Sequence, residues 1–395
     1  MSNKAESTLK FLVCTNCKSE YLPNRIIHLC PKCNKVIFPK YDLEKAREYL
    51  TKANLLNRTR IDLWRFHEIM PVYDEKYRYT LGEGNTPLLK LDNLGNLLKL
   101  NNLYLKDEGQ NPTGTFKSRG LCSAVSKGIE LGTSEFVIPT AGNAGAALTA
   151  YCARAQVKAH IFMPKDSSRL IQSEVMSMGG DLNLINGLIS DAGKLSKQMS
   201  EEHGWYDVST LKEPYRVEGK KTMGLEIAEE FNFELPDAII YPTGGGTGIV
   251  GMWKAFDELE QIGLIGTKRP KMISVQALNC SPIVDAFNKK QKHADTWTNP
   301  STFASGLRVP SAVGDYLILQ AIYESNGTAV AVSDESIKDA MFLLAKNEGV
   351  MLAPEAAATV AGLESLRKMN YFDKDEKIVL FGTGSGLTTP EEWYN

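Results

Sequence analysis

Lys117 stands in the segment Asn111-Pro112-Thr113-Gly114-Thr115-Phe116-Lys117-Ser118-Arg119-Gly120, a glycine-bracketed turn with an aromatic residue beside the lysine. A strand-like run, residues 102–106, leads into it, residues 107–109 break that strand, and a helix-like run follows. A lysine amine becomes a nucleophile toward a carbonyl when burial and nearby positive charge lower its pKa. The N-terminus of the following helix and Arg119 both offer positive potential at that point. The setting suits a Schiff-base lysine. A lone lysine in a Gly-Pro loop is more often a solvated group, so the assignment rests on three further segments.

Pro139-Thr140-Ala141-Gly142-Asn143-Ala144-Gly145 follows the apolar run 136–138 and opens an alanine-rich helix, residues 146–155. Small residues let the backbone approach a ligand closely, and amides at a helix start can hold a carboxylate. Thr140, Ala141, Gly142 and Ala144 are therefore candidate substrate-binding residues, and Asn143 can hydrogen-bond a cofactor hydroxyl. Seen alone, the segment reads equally well as a closely packed helix cap.

Tyr241-Pro242-Thr243-Gly244-Gly245-Gly246-Thr247-Gly248 again joins a strand, 238–241, to a helix, 249–260. Gly244, Gly245, Gly246 and Gly248, with Thr247, form a nest of amides and hydroxyls for a phosphate. The spacing matches neither a Walker loop, since no Lys-Ser/Thr closes it, nor a GxGxxG fingerprint. A phosphate outside a nucleoside triphosphate fits better. Phe381-Gly382-Thr383-Gly384-Ser385-Gly386 follows the strand 377–380, but Asn395 comes too soon for the helix and second strand of a dinucleotide fold. The Thr383 hydroxyl at a strand end is what that turn presents.

The elements that must position these residues alternate. From Leu81 onward apolar strands (136–138, 159–163, 181–185, 238–241, 272–275, 378–380) alternate with amphipathic helices, which predicts a parallel α/β architecture. A length of 395 residues allows two domains and a large core. The net charge of −2 argues against nucleic acid as the main partner, and Lys289-Lys290-Gln291-Lys292 reads as a solvated loop. No apolar run approaches the roughly 18 residues of a membrane helix. Residues 1–9 are polar and lack a signal-peptide pattern, so a cytoplasmic location without membrane contact is expected.

Seven cysteines exclude a complete set of intrachain disulfides. Four of them form Cys14-Thr15-Asn16-Cys17 and Cys30-Pro31-Lys32-Cys33, two CxxC knuckles that can close on one tetrahedral metal, most plausibly zinc. His28 is near but not needed. A ribbon this small cannot bury a core, so metal binding would supply its folding energy. Cys122, Cys152 and Cys280 lie in apolar surroundings and read as inert core thiols. Between ribbon and body, residues 41–57 read as one charged helix, and the aromatic-rich stretch 58–79 is expected to drape over the body.

As a set, Lys117, Asn143, the 244–248 loop and Thr383 resemble the pyridoxal-phosphate enzymes of the tryptophan synthase β-like fold, fold type II. Leu81-Gly82-Glu83-Gly84-Asn85-Thr86-Pro87-Leu88 and Pro214-Tyr215-Arg216-Val217-Glu218-Gly219-Lys220-Lys221-Thr222 bring the threonine synthases nearest. The resemblance runs from about Leu81 to about Pro390 and is more specific for the cofactor than for the reaction. It implies an α/β fold of two open, mostly parallel sheets flanked by helices, with the cofactor in the cleft between them. The implied domains are 1–40 (zinc ribbon), 41–80 (helical linker), 81–121 with 220–395 (large), and 122–219 (small, inserted). Some relatives carry a similar ribbon, and a homodimer is expected.

By the same resemblance Lys117 is the Schiff-base lysine and later the general acid and base. Asn143 meets the pyridine 3′-oxygen, residues 244–248 the cofactor phosphate, and Thr383 the pyridine nitrogen. A neutral hydroxyl there favours elimination and replacement over transamination. Arg216 matches the arginine that binds substrate phosphate, with Lys220 and Lys221 as further cations at a helix start. The implied reaction makes threonine from O-phosphohomoserine and water.

Three departures stand against that substrate: Ser118 replaces a usual Asp, Thr210-Leu211 an Asn-Ser pair, and Thr388 a Lys near the C-terminal turn. Ser118 and Leu211 favour a β-elimination or β-replacement on another hydroxy- or phospho-amino acid, as in threonine or serine dehydratases or cysteate synthase, whereas the zinc ribbon and Pro214-Tyr215-Arg216 favour the threonine synthase reaction. A nucleic-acid-binding protein with an inactive body is disfavoured by intact Lys117 and Asn143. Arg308 and Glu355 are placed facing the cleft without a role.

Overall fold

The computed structural model describes residues 6–187 and 189–394. Its N-terminal ribbon is a small antiparallel sheet of β1 (Leu9–Cys14), β2 (Glu20–Tyr21) and β3 (Ile37–Tyr41), in the order β2-β1-β3. The expected single helix over 41–57 is instead two: α1 (Leu43–Tyr49) and α2 (Lys52–Leu56). Tyr41 belongs to the strand, and Asp42 and Thr51 each cap a helix, their side chains accepting the Lys45 and Asn54 amides at 3.1 Å. Two N-caps nine residues apart stop one helix and start the next. Residues 58–79 do lie over the body, with short 3₁₀ turns at Leu63–Ile69 and Glu75–Tyr77. Trp64 and Phe66 are buried there.

The body continues with β4 (Leu88–Lys90), α3 (Asp92–Leu98), β5 (Asn102–Asp107), α4 (Lys117–Glu130), β6 (Glu135–Pro139), α5 (Asn143–Ala155) and β7 (Lys158–Pro164). Next come α6 (Arg169–Ser177), β8 (Asp181–Ile185), α7 (Ile189–His203), β9 (Tyr206–Asp207), α8 (Arg216–Glu230), β10 (Ala238–Pro242) and α9 (Thr247–Ile262). The chain closes with β11 (Lys271–Ala277), α10 (Pro282–Asn288), α11 (Asp315–Glu324), β12 (Thr328–Val332), α12 (Asp334–Glu348), α13 (Pro354–Lys368) and β13 (Lys377–Gly382).

Two sheets result. One is six-stranded, β12-β11-β10-β13-β5-β4, parallel except for the edge strand β4; the other, β8-β7-β6-β9, is wholly parallel. All six strands expected from apolar runs are present. β10 is buried at every residue, as helices on both faces of a parallel sheet require. The strands of the smaller sheet fall between Glu135 and Asp207, and the divisions expected after Leu121 and Gly219 fall inside α4 and α8.

Helices α4 and α8 form the floor that carries the chemistry. They touch backbone to backbone: a Cβ on Gly219 would collide with the Arg119 carbonyl, its carbon 2.5 Å away, and with Gly120 Cα at 2.8 Å. Beside this contact Arg119, 0% exposed, donates to Glu108 through Nε (2.6 Å) and to Glu226 through Nη1 (2.6 Å). Lys106 Nζ lies 3.0 Å from Glu226, and Asn111 donates to Glu108 at 2.9 Å. This buried set ties β5, the lysine loop and α8 together; deleting the Arg119 charge would leave Glu108 buried without its ion-pair partner, at about 3–5 kcal/mol.

The ribbon docks on the same floor. Tyr41 donates to Glu218 of α8 at 2.7 Å, inside a buried cluster of Glu218, Lys221, Lys254 and Glu258. Tyr316 of α11 accepts the Val36 amide at 3.1 Å and shares a hydrogen bond with Thr15.

Candidate active site

The strand ends of both sheets point into a cavity of about 240 Å³, the place where parallel α/β sheets present ligands. Its walls are residues 115–117, 138–144, Thr210, residues 241–242 and 244–247, residues 305–309, Ala353, Glu355 and residues 383–384, with Ile189 at the edge. Lys117, Thr140, Ala141, Gly142, Asn143, Ala144, Gly244, Gly245, Gly246, Thr247 and Thr383 all line it.

Lys117 is the first residue of α4, not merely upstream of it. The turn before it takes two successive left-handed residues, Thr113 (φ 58°) and Gly114 (φ 65°). A Cβ on Gly114 would meet the Thr388 methyl at 2.6 Å, so glycine answers both the conformation and the close approach. The Phe116 amide donates to Thr383 O (3.0 Å) and the Ser385 amide to Gly114 O (2.9 Å), which locks the lysine loop onto the turn after β13. Ser118 is buried, and its hydroxyl donates to the Pro112 carbonyl within the loop.

The Lys117 amine lies 4.3 Å from the Phe116 ring centroid, and its pKa falls to about 8. Burial is the main cause and the positive charge of Arg216 adds to it, while Glu355 opposes both. The field expected from Arg119 is not the source, because Glu108 and Glu226 neutralise that guanidinium.

Asn143 opens α5, and the Thr140 hydroxyl accepts the Gly142 amide at 3.1 Å, which shapes the loop ahead of that helix N-terminus. In the glycine turn, Gly246 is left-handed (φ 76°) with Ile318 where a side chain would stand. Gly244 has the Gly306 carbonyl in that place, and the Val309 methyl 3.1 Å from it. Thr247 then starts α9 with free amides facing the turn. Gly248 is not on the wall: it lies within α9, packed on the Tyr241 ring. The Tyr241 hydroxyl is buried and has no hydrogen-bond partner. A cradle emptied of side chains at a helix N-terminus, an amine of lowered pKa and a strand-end hydroxyl at Thr383 fit a phosphorylated aldehyde cofactor.

Arg216 does not line the cavity. It is 1% exposed, and its Nη1 donates to Val208 O at 2.6 Å. Lys220 and Lys221 are buried inside α8 rather than at its start. Lys220 reaches the Phe116 carbonyl and ring, and its pKa is pushed well down by burial, then by Lys117 and Arg216. Lys221 pairs with Glu218 at 2.6 Å and Glu258 at 2.8 Å, toward the ribbon. Leu211 takes a left-handed conformation (φ 56°) and packs beside Gly314, whereas Thr210 reaches the cavity. Arg308 and Glu355 both line it, and Glu355 accepts the Gly306 amide at 2.6 Å. Thr210, which stands in the place of the Asn-Ser pair, and Arg308, expected to face the cleft, both reach the wall; Tyr241 stood in the glycine segment, but nothing in its type marked it.

The sulfurs of Cys14, Cys17, Cys30 and Cys33 lie within 4.8 Å of one another, with Cys14–Cys33 at 3.4 Å and Cys17–Cys30 at 3.6 Å. Metal–sulfur bonds of about 2.3 Å in a tetrahedron put sulfurs about 3.8 Å apart, so the four fit one zinc ion. Cys122, Cys152 and Cys280 are buried away from it.

Residues 79–384 match the family model described as pyridoxal-phosphate dependent enzyme. The chain belongs to this family. It is 37% identical to the threonine synthase of Methanocaldococcus jannaschii over 379 residues, covering 96% of this chain and 93% of that protein. The threonine synthase of Methanosarcina acetivorans is 34% identical over 96% of this chain and 92% of its own length. Among solved structures, processed threonine deaminase isoform 2 from Solanum lycopersicum superposes with a TM-score of 0.68 over 95% of this chain and 98% of that one, at 20% identity. Maize serine racemase gives 0.68 over 78% and 90%, at 21% identity. These two share the family's fold, and at such identity they speak to fold alone.

Proposed function

We propose that this pyridoxal-phosphate dependent enzyme converts O-phosphohomoserine and water into threonine and phosphate. The observation that carries the reading is Lys117, a half-buried lysine of pKa about 8 facing a glycine cradle and a helix N-terminus in one cavity. The likeness to threonine synthases across 96% of the chain supports it. Bound pyridoxal phosphate supplies an electron sink for negative charge beside the amino-acid Cα. Residues 244–247 hold its phosphate, Asn143 its ring oxygen and Thr383 its ring nitrogen.

The loop 140–144 orients the substrate carboxylate at the start of α5, where amides and the helix dipole favour an anion. Lys117 takes the proton from Cα, and its amine then moves protons at Cβ and Cγ as phosphate leaves and water adds to Cβ. Burial, with the charge of Arg216 behind the wall adding to it, keeps that amine partly neutral. The place of Arg216 off the cavity wall, with Nη1 on the Val208 carbonyl and Leu211 packed beside Gly314, favours the second reading: elimination or replacement on another hydroxy- or phospho-amino acid.

The remaining assignments are part of the same proposal. One zinc ion held by the four ribbon cysteines is structural, because protein fills all four positions. Residues 122–219 form the small domain of a homodimeric cytoplasmic enzyme. No described helix is long and apolar enough to cross a membrane. Steady-state turnover of the cofactor-loaded enzyme tests the reading, with O-phosphohomoserine beside threonine and serine. Phosphate release matched by threonine formation supports it; ammonia release from serine or threonine alone moves the protein to the second reading.

A further inference from the structure

We propose that a second anion site, for a phosphomonoester dianion, lies outside the cleft in a pocket between α2 and the 3₁₀ turn Leu63–Ile69. The pocket holds about 450 Å³, room for a phosphate with an organic tail. Arg58, Arg60, Arg65 and Arg78 all stand on its wall, and the acids beside them there are Glu68 and Glu75. None of the four arginines lines the cofactor cavity, so the site does not depend on which amino acid that cavity takes.

Three of the guanidiniums are fixed by carboxylates. Glu68, 1% exposed, accepts both Nη groups of Arg58. Asp62, behind the wall, accepts Nε (2.6 Å) and Nη2 (3.0 Å) of Arg60, and Glu229 of α8 pairs with Arg65 Nη2. These pairs cancel much of the charge while holding the forks in place. Arg78 is held differently. Its Nη2 donates to the Val72 and Tyr73 carbonyls, at 3.3 and 3.0 Å, which orient the guanidinium without neutralising it. Burial lowers the Arg78 pKa and Arg60 adds to that, against the exposed Glu75, so this charge gains from a further anion.

Two donors of the same wall are unspent. The Nε groups of Arg65 and Arg78 are buried without a hydrogen-bond partner, a state that one other arginine nitrogen among the described residues shares, Arg216 Nε. An unmet buried donor is costly, and a small turn of either guanidinium toward an acceptor in the pocket recovers the bond. Arg65 sits on one 3₁₀ turn and Arg78 at the end of the next, so the acceptor must serve donors from two elements. A phosphate dianion has three acceptor oxygens for that purpose, where a planar carboxylate best fits a single fork. Asn54, Asn57 and Thr59 supply neutral polar groups for the rest of the molecule.

The test uses cofactor-loaded enzyme, with glycerol 3-phosphate and inorganic phosphate as probes and succinate as the dicarboxylate comparison. Binding is read by titration calorimetry, while the absorbance of the bound cofactor reports any binding in the cleft. The unmutated enzyme should bind glycerol 3-phosphate at one site per chain with that absorbance unchanged. Arg78→Gln should weaken this binding about tenfold, as loss of one charge-assisted contact predicts, and Arg78→Lys should recover part of it. Thr59→Asp adds a negative charge at an exposed wall position and should weaken binding with every arginine in place, which keeps the test open if the Arg78 variants fold poorly. Equal affinity in the unmutated enzyme, Arg78→Gln and Thr59→Asp would overturn the site. So would phosphate binding seen only together with a change in cofactor absorbance, or no saturable binding at all. Succinate bound as tightly as glycerol 3-phosphate, or inorganic phosphate bound without it, would overturn the assignment to a phosphomonoester.

Discussion

Gly219→Ala should damage the active site from a position no ligand touches. In a free helix the change would stabilise by about 1 kcal/mol. Here the new methyl would lie 2.5 Å from the Arg119 carbonyl carbon, where ordinary contact begins at 3.4 Å. The obstacle is backbone, so no side chain can rotate aside, and α4 must retreat from α8 by roughly 1 Å. Overpacking costs about 1–3 kcal/mol, and against unyielding backbone the upper part of that range, about 2–3 kcal/mol, applies, which leaves a net loss of about 1–2 kcal/mol after the helical gain. The melting midpoint of the loaded enzyme should fall by a few degrees. Catalysis should suffer more, because the first turn of α4 carries Lys117: a displacement of about 1 Å is worth on the order of a hundredfold in kcat/KM. Gly193→Ala in α7 is the matched control, since nothing lies within 4 Å of its Cβ position. It should be neutral or stabilising and fully active. A Gly219→Ala enzyme with unchanged melting and turnover would show that the close crossing does not position the lysine.

Lys117→Ala should abolish the visible absorbance of the reconstituted enzyme; an unchanged spectrum would remove Lys117 from the chemistry. Cofactor uptake by stripped enzyme should quicken as pH rises through about 8, where the amine loses its proton, and the midpoint should move upward in Arg216→Leu. Pure protein should hold one zinc per chain, lost in a Cys14→Ser, Cys30→Ser double variant, and chelation should lower the melting midpoint because ribbon folding and metal binding are one event. Full zinc in the double variant would reject the ribbon site. Glu213 is buried, and burial raises its carboxyl to about 7 from 4.5, although it accepts the Tyr215 and Arg216 amides. An acid raised on folding favours the native state below 4.5, and that contribution is lost as pH rises through about 7. Glu213→Gln should therefore flatten a stability loss of about 3 kcal/mol between those pH values, read by melting midpoint against pH. A pH profile identical to that of the parent would reject this placement of the charge.

Much of the site was legible because its requirements are local. A Schiff-base lysine at a helix start, a glycine turn after an apolar strand and a strand-end hydroxyl each need particular residues in consecutive order. Lys117, the 140–144 loop, residues 244–247 and Thr383 could be read off that order, and the structure gathers them in one cavity. The two CxxC knuckles were legible for the same reason, and their sulfurs converge as a metal requires. Short strands were harder: β4 and β9 are three and two residues long, and pairing rather than propensity makes them strands.

What the order of residues left open was direction. Arg216, Lys220 and Lys221 share one helix, and periodicity alone cannot say which of them faces ligand, wall or ribbon. That depends on where α8 meets α4, and Gly120 and Gly219 set the crossing by letting two backbones touch. The same crossing turns Arg119 toward Glu108 and Glu226 and leaves Arg216 to tune Lys117. Arg308 and Glu355 are far from the lysine in sequence, and only the packing of the 305–309 loop on Gly244 and of the α13 start on that loop brings them to the cavity. The sequence determined which chemistry the chain could carry; helix crossings and loop packing decided which charges face it, because burial and distance, not residue type, set the field at a lysine.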